Sequence, residues 1–189
     1  AIFNTSMSFQ KPEGGLEHQF DMPEVVGPED LQSDVKFWQD IAEKYPGKIA
    51  KRPRLFQAID SRPIHRRDLF NPSVDSPVQG VWFRTAGNMP DNHAAHQMMV
   101  AYISDMHFMG TALRPQGITL SDPRLQAASL DHCMWFHEDF RVDEWMYYHM
   151  DSPRSSHSRG INRGSIYTRE GKLVATTAQE GLMRIKEPS

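Results

Sequence analysis

The clearest pattern of apolar and polar positions begins at Val78. Residues 78–85 (VQGVWFRT) form a short β-rich run, and Asn88 and Pro90 punctuate its end. A helix is predicted from Asp91 or Asn92, either of which suits an N-cap, to about Met109. Four strand patterns follow with short connections, at residues 125–137, 144–151, 158–169 and 172–186. The stretch 167–172 (YTREGK) has the turn chemistry of a hairpin, which makes the last two strands neighbours. A strand, a long helix and then strands in antiparallel succession predict an α+β fold in which a curved antiparallel sheet wraps one helix. Upstream the pattern is weaker. Residues 1–10 (AIFNTSMSFQ) are strand-like, whereas residues 16–54 mix Pro23, Pro28, Pro46 and Pro53 with charged side chains and read as a linker. Its one regular stretch is a short helix at 30–42, with Leu31, Val35, Trp38 and Ile41 or Ala42 on one face. A short strand is predicted at 55–59 and a turn-rich connection at 71–77. Opening on Ala1 without a targeting pattern, the sequence reads as a chain cut into.

A few polar residues stand out against these patterns. On the long helix, Met98, Ala101, Tyr102, Asp105 and Met109 share one side, so a carboxylate occupies a position expected to be apolar. Asp105 also falls near the last turn, where the helix carbonyls disfavour negative charge. Two accounts stand: burial makes Asp105 a basic, functional carboxylate, or the helix rotates or ends early and leaves it in water. Residues 129–148 (SLDHCMWFHEDFRVDEWMYY) crowd Cys133, Met134, Trp135 and Phe136 around Ser129, Asp131, His132 and His137. They begin as a half-buried strand whose polar groups need partners. In the last strand, period two puts Leu173, Ala175, Thr177, Gln179, Gly181 and Met183 on one face. Gln179 is then an amide among small and apolar neighbours, which by itself suggests a hydrogen-bonding strut.

Composition narrows the chemistry. The 189 residues suffice for one core and a satellite segment. An apolar share of 39%, a charged share of 24% and a mean hydropathy of -0.60 describe a globular chain without a membrane-spanning run. A net charge of -3 with scattered Lys and Arg leaves no electrostatic footprint for nucleic acid or an anionic membrane. The single Cys133 excludes an intrachain disulfide and a cysteine zinc cage, and reads as packing. Ser129, Asp131 and His132 imitate a serine triad, but alternation along one strand would put His132 on the opposite face, and no Gly-x-Ser-x-Gly elbow is present. His93 and His96 share a helix face without an HExxH set, so no metal is assigned. Arg159 and Arg163 beside Gly160 and Gly164 lack the strand-to-helix fingerprint of a phosphate loop.

Five stretches carry a resemblance: SFQKPEGGLEHQ (8–19), YISDMHF (102–108), ASLDHCMWFHEDFRVDEWMYY (128–148), SRGINRGSIYTREGKLVAT (158–176) and AQEGLMR (178–184). In order, and over essentially the whole chain, they are similar to the carboxy-terminal half of type II acyl-CoA thioesterases, which include bacterial cytoplasmic and eukaryotic peroxisomal enzymes. That family builds two consecutive hotdog units, each a long helix cradled by an antiparallel sheet. The resemblance implies that residues 1–20 hold the last strand of an otherwise missing first unit, 21–53 a linker, and 54–187 the complete catalytic unit. It implies a catalytic set of Asp105, Ser129 and Gln179 that activates a water for thioester hydrolysis without an acyl-enzyme. Asp131 and His132 would support the site. Coenzyme A would be the carrier on the substrate, with no retained cofactor. Arg159 or Arg163 would meet its phosphates, and Met98, Tyr102, Met106 and Met109 would line an acyl groove, with a solvated strand face and core packing as the plain alternatives. Other readings are a hotdog enoyl-CoA hydratase, disfavoured because those enzymes use a His beside an Asp, and a non-catalytic acyl-CoA-binding or assembly fragment. The implied partners are the missing first unit or a second copy. The implied compartment is the peroxisome or the bacterial cytoplasm, although no import tripeptide of the S-K-L type closes the sequence.

Overall fold

The computed structural model describes residues 4–11, 13–47 and 57–186. The strands are β1 (Ile59–Pro63), β2 (Val78–Thr85), β3 (Leu125–Ser129), β4 (Cys133–Phe136), β5 (Met146–Ser156), β6 (Arg159–Thr168) and β7 (Leu173–Ile185). The helices are α1 (Asp34–Lys44), α2 (His93–Ser104) and α3 (Phe108–Leu113). All strands pair antiparallel in one sheet of order β1-β2-β5-β6-β7-β3, and β4 shares with β3 the second edge of β7. The α+β expectation and the β2 boundaries hold. The β6–β7 hairpin closes through Gly171, whose φ of 90° is a left-handed conformation that glycine adopts without a Cβ clash. None of the described helices is long and apolar enough to cross a membrane.

Two differences from the sequence pattern bear on the site. The single strand expected over 125–137 is split, because the register with β7 changes by one residue between Ser129↔Gly181 and Cys133↔Ala178. Leu130 donates its N–H to Glu180 O at 2.9 Å, and the Asp131 carboxylate accepts the Glu180 N–H at 2.8 Å. A side chain thus replaces a ladder carbonyl, as in a bulge, and strict alternation fails across 130–132. The second difference is the long helix, which stops at Ser104 and resumes as α3 after a turn at 105–107. His107 stands there at a φ of 63°, costly for a residue with a Cβ, and tertiary contacts hold it. Its Nε2 lies 3.1 Å from Asp34 Oδ2 and 3.2 Å from Ser61 Oγ, and its carbonyl accepts Gln79 Nε2–H at 2.8 Å.

The core lies between the helices and one sheet face, where Val81, Phe83, Val100, Ile103, Phe108, Met146, Tyr148, Ile166 and Val174 are all buried. Gly160, Gly164 and Gly181 let the layers approach: a Cβ at Gly181 would stand 3.2 Å from Met109 Cγ, and one at Gly160 2.7 Å from Ala112 Cβ. On the other face Trp82, Tyr147 and Tyr167 pack with Met22, Val25 and Leu31. The expected linker is therefore laid against the sheet: Trp82 Nε1–H donates to Val26 O at 2.8 Å, and Gln19 Nε2–H donates to Gly171 O at 2.8 Å. Its helix, α1, begins at Asp34, four residues later than predicted, behind the N-cap Ser33, whose Oγ accepts the Lys36 N–H. Residues 4–10 form no strand and are exposed, and residues 1–3 lie outside the described residues. The strand predicted at 55–59 is found at Ile59–Pro63, with residues 55 and 56 outside the described ones. Its proline is tolerated because β1 is an edge strand.

Asp34 ties α1 to this framework through Arg66 and His107. Burial alone would raise its pKa, but the hydrogen bonds and charges of His107 and Arg66 outweigh that effect and hold the carboxyl well below the usual range. A depressed carboxylate adds stability above its unfolded pKa of about 3.9 and loses it as pH falls. Urea unfolding of wild type and Asp34→Asn should therefore show a stability gap that is full at neutral pH and narrows steadily from about pH 5 downwards. A gap independent of pH would mean that the pair contributes nothing.

Candidate active site

Helix α2 is apolar on almost every side, so its sequence does not choose a buried face. The structure buries His96, Val100, Ile103 and Ser104. The stripe expected in the core faces outward instead: Met98 is 67% and Tyr102 43% exposed, and Asp105 is exposed as the residue that caps the helix. The account in which the helix ends early and leaves Asp105 in water is the one realised. Three carbonyls of the last turn still find donors. Ala101 O accepts Ser104 Oγ–H at 2.8 Å, Ile103 O accepts the Met106 N–H at 2.8 Å, and Ser104 O accepts the Tyr148 hydroxyl at 3.0 Å. Because Tyr148 spends its one proton on Ser104, the hydroxyl of Thr177 is the donor in the 2.8 Å contact between Tyr148 and Thr177. Burial pushes the Tyr148 phenol well above its ordinary pKa, against the opposing effect of Thr177, so it remains a proton donor.

His132 supports the same helix end. Its Nε2 lies 2.8 Å from Ser104 Oγ, which gives its own proton to Ala101 O, so the imidazole is the donor. The ring meets Phe108 edge-on at 5.8 Å. Desolvation holds its pKa below the ordinary histidine value, although Asp105 and Asp131 oppose this. The bulge corrects the earlier alternation argument, since His132 reaches the helix side of the sheet. Ser129 is on that side too, opposite Gly181, whose missing Cβ would face Met109. The serine triad fails for a different reason: among the described residues no hydrogen bond joins Ser129 to His132, which is engaged by Ser104.

Gln179 sits in the middle of β7, 1% exposed, and its Nε2–H donates to Asp105 Oδ1 at 2.7 Å. The face expected from period two is realised from Ala175 to Gly181, with Ala175, Thr177, Gln179 and Gly181 buried. The structure thus brings Asp105 and Gln179 together and leaves Ser129 one register step away, diagonal to Gln179 on the same face. Ser129, Asp131, His132 and Cys133 are all exposed, as are Trp135 (54%) and Phe136 (38%), where a half-buried strand and a packed thiol were expected. The reason is positional: β3 and β4 lie on an edge of the sheet. Arg159 and Arg163 alternate with the buried Gly160, Asn162 and Gly164, so they lie on the face away from Asp105. Each is engaged, Arg159 with Glu180 and Arg163 with Asp151. Met106 packs on the core and Met109 lies over Gly181. A cavity of about 380 Å³ opens at the other end of α2, lined by residues including Asp91, His93, His96 and Glu144. Among the described residues no group of three or more His, Cys, Asp or Glu is placed to hold a metal ion.

Sequence reasoning did not single out Ser104, Tyr148 or Thr177. A serine next to Asp105 in an apolar helix, and a threonine two residues before Gln179 on the same face, were the available signals. The fold is similar to that of a hot dog fold protein of Alicyclobacillus acidocaldarius, at a TM-score of 0.64 and 19% identity over 95% of this chain and 60% of that one. The fold is a hotdog unit. Within that class, the profile described as acyl-CoA thioesterase matches residues 54–182, and the chain belongs to the acyl-CoA thioesterase family. It is similar to the structure of an acyl-CoA thioesterase II from Mycobacterium marinum, with a TM-score of 0.70 and 34% identity over 95% of this chain and 61% of that one. It is also 33% identical over 186 residues to acyl-CoA thioesterase 2 of Haemophilus influenzae, covering 98% of this chain and 65% of that protein. The chain therefore spans between 61% and 65% of the length of these two relatives.

The Tyr148 hydroxyl is buried between an acceptor and a donor, so deleting it leaves both unpaired. Tyr148→Phe should destabilise the protein by about 1–3 kcal/mol in urea unfolding while the helix content stays intact by circular dichroism. An unchanged unfolding midpoint would show that this hydroxyl does not hold the helix end.

Proposed function

We propose that this chain is the catalytic unit of an acyl-CoA thioesterase that hydrolyses fatty acyl-CoA to free fatty acid and coenzyme A. Asp105 orients a water and takes its proton as the water oxygen attacks the thioester carbonyl carbon. Gln179 and Ser129 hold that water and carbonyl by hydrogen bonds. The tetrahedral oxyanion then collapses, the C–S bond breaks, and the proton on Asp105 passes to the leaving thiolate, which restores the carboxylate. No acyl-enzyme forms, and coenzyme A enters with the substrate rather than as a resident cofactor.

The observation that carries this reading is the 2.7 Å hydrogen bond from Gln179, buried in the sheet, to Asp105, exposed at the helix end. It joins two residues 74 positions apart and engages one oxygen of a carboxylate whose second oxygen has no hydrogen-bond partner among the described residues. Family membership supports the same chemistry. Met98 and Tyr102, exposed on α2 beside Asp105, suit one wall of an acyl groove. The rest of the groove belongs to whatever covers this helix, and the preceding unit or a second copy of the chain meets that need. Covering would also withdraw Asp105 from bulk water. A part for Arg159 and Arg163 at the phosphates requires the nucleotide to reach the far sheet face. A hydratase reading is less well served, because His132 gives its Nε2–H to Ser104.

The uncovered face favours a second reading in which the chain alone binds acyl-CoA, or assembles with its partner, without turnover. In the full-length protein Asp105→Asn should lower kcat on long-chain acyl-CoA by about 10²-fold or more. Turnover equal to wild type would overturn the mechanism. Assaying the chain alone and with the preceding unit added, over a panel of acyl lengths, separates the readings: zero turnover with every substrate, even after addition, favours binding alone.

A further inference from the structure

Asn162 lies opposite Gln179 in the β6–β7 ladder. Residues directly opposite in an antiparallel pair put their side chains on the same face, with Cβ atoms about 4.5–5.5 Å apart. Asn162 is 0% exposed, and both its Nδ2 and Oδ1 are buried without a hydrogen-bond partner among the described residues. Gln179 Oε1 is in the same condition. Three orphaned amide atoms therefore meet at one rung: an NH2 donor and two acceptors. Buried amides are rarely left unpaired, because the loss of water is not repaid by any other contact. Neighbouring groups are committed elsewhere. Gly160 and Gly164 flank Asn162 on its own strand without side chains, the Thr177 hydroxyl goes to Tyr148, and Ser152 Oγ–H goes to Ile161 O.

We propose that Asn162 is a positioning residue for Gln179, donating Nδ2–H to Gln179 Oε1 directly or through one buried water. The inference rests on the thioesterase reading of Asp105 and Gln179. A glutamine amide is nearly symmetric in shape, and its two ends differ only in what they accept or donate. If Gln179 flipped, Oε1 would point at the Asp105 carboxylate, acceptor against acceptor. A donor behind Oε1 removes that ambiguity: the carbonyl end is held towards β6, and Nε2–H is aimed at Asp105. Asn162 touches neither the attacking water nor the substrate, so it acts on kcat through Gln179 and leaves KM unaltered.

The test uses the full-length protein with an acyl-CoA substrate. Asn162→Ala should lower kcat by about tenfold, the worth of one lost hydrogen bond in the transition state, with KM unchanged. Gln179→Leu should lower it at least as much, and adding Asn162→Ala to Gln179→Leu should cost nothing more, because the residue it positions is gone. A purely structural role gives additive losses, or a changed unfolding midpoint with kcat intact, and either overturns the proposal. Should the alanine variant fail to fold, a crystal structure of the wild-type protein decides. Nδ2 within 3.5 Å of Gln179 Oε1, or of a water shared with it, is the expected result, and amides facing apart overturn it. If Asp105→Asn and Gln179→Leu both keep full turnover, the thioesterase reading itself has failed; if they lose it and Asn162→Ala does not, only this inference has.

Discussion

A helix that stops in front of an exposed carboxylate needs donors for its last carbonyls, since its own negative pole would otherwise face another negative charge. In this protein the Tyr148 hydroxyl meets that need by binding Ser104 O, and Thr177 in turn fixes the hydroxyl. The consequence spreads in both directions. Tyr148 stands on β5 and Thr177 on β7, with Gly164 of β6 between them, and the ring fills the space that a side chain at Gly164 would occupy. Three strands and a helix terminus thus share one buried hydroxyl. Asp105, the residue after Ser104, inherits its place from that contact, which also keeps it within reach of Gln179.

The elements with strong local signals were legible. Strand β2, the N-cap Asn92, the hairpin at Gly171 and the face shared by Ala175, Thr177, Gln179 and Gly181 follow from apolar period, cap chemistry and turn residues. Gln179 was rightly read as a buried amide. What escaped was set by contacts distant in sequence. The break at 105–107 depends on Asp34, 73 positions from His107, and on Ser61, 46 positions away, and no local pattern encodes either. The split of the strand at 130–132 arises because a carboxylate can stand in for a ladder carbonyl. Helix α2 misled for another reason: Met98, Met99, Val100, Ala101, Tyr102 and Ile103 run apolar all round, so a periodic stripe could be drawn on the wrong side. Asp105 stood out correctly as a misfit, but as an exposed residue next to apolar surface rather than as a buried one.

The site combines a rigid half and an open half. Gln179, Thr177 and Tyr148 are locked within the sheet and core, whereas Asp105, Ser129 and the exposed side of α2 face outward. The rigid half orients a carboxylate. The open half carries the exposed Met98 and Tyr102 on the helix that ends at Asp105.

The segment at residues 19–34 adds a mechanical property to this picture. It is anchored at one end to the β6–β7 hairpin, where Gln19 binds Gly171 and Leu173, and at the other to the turn after α2, where Asp34 binds His107. Arg169 and Arg62 fasten its middle through Glu29 and Pro28. It therefore lies as a strap across the outside of the sheet and joins the tip of the hairpin to the turn that carries Asp105, with its last contact, at His107, two residues from that carboxylate.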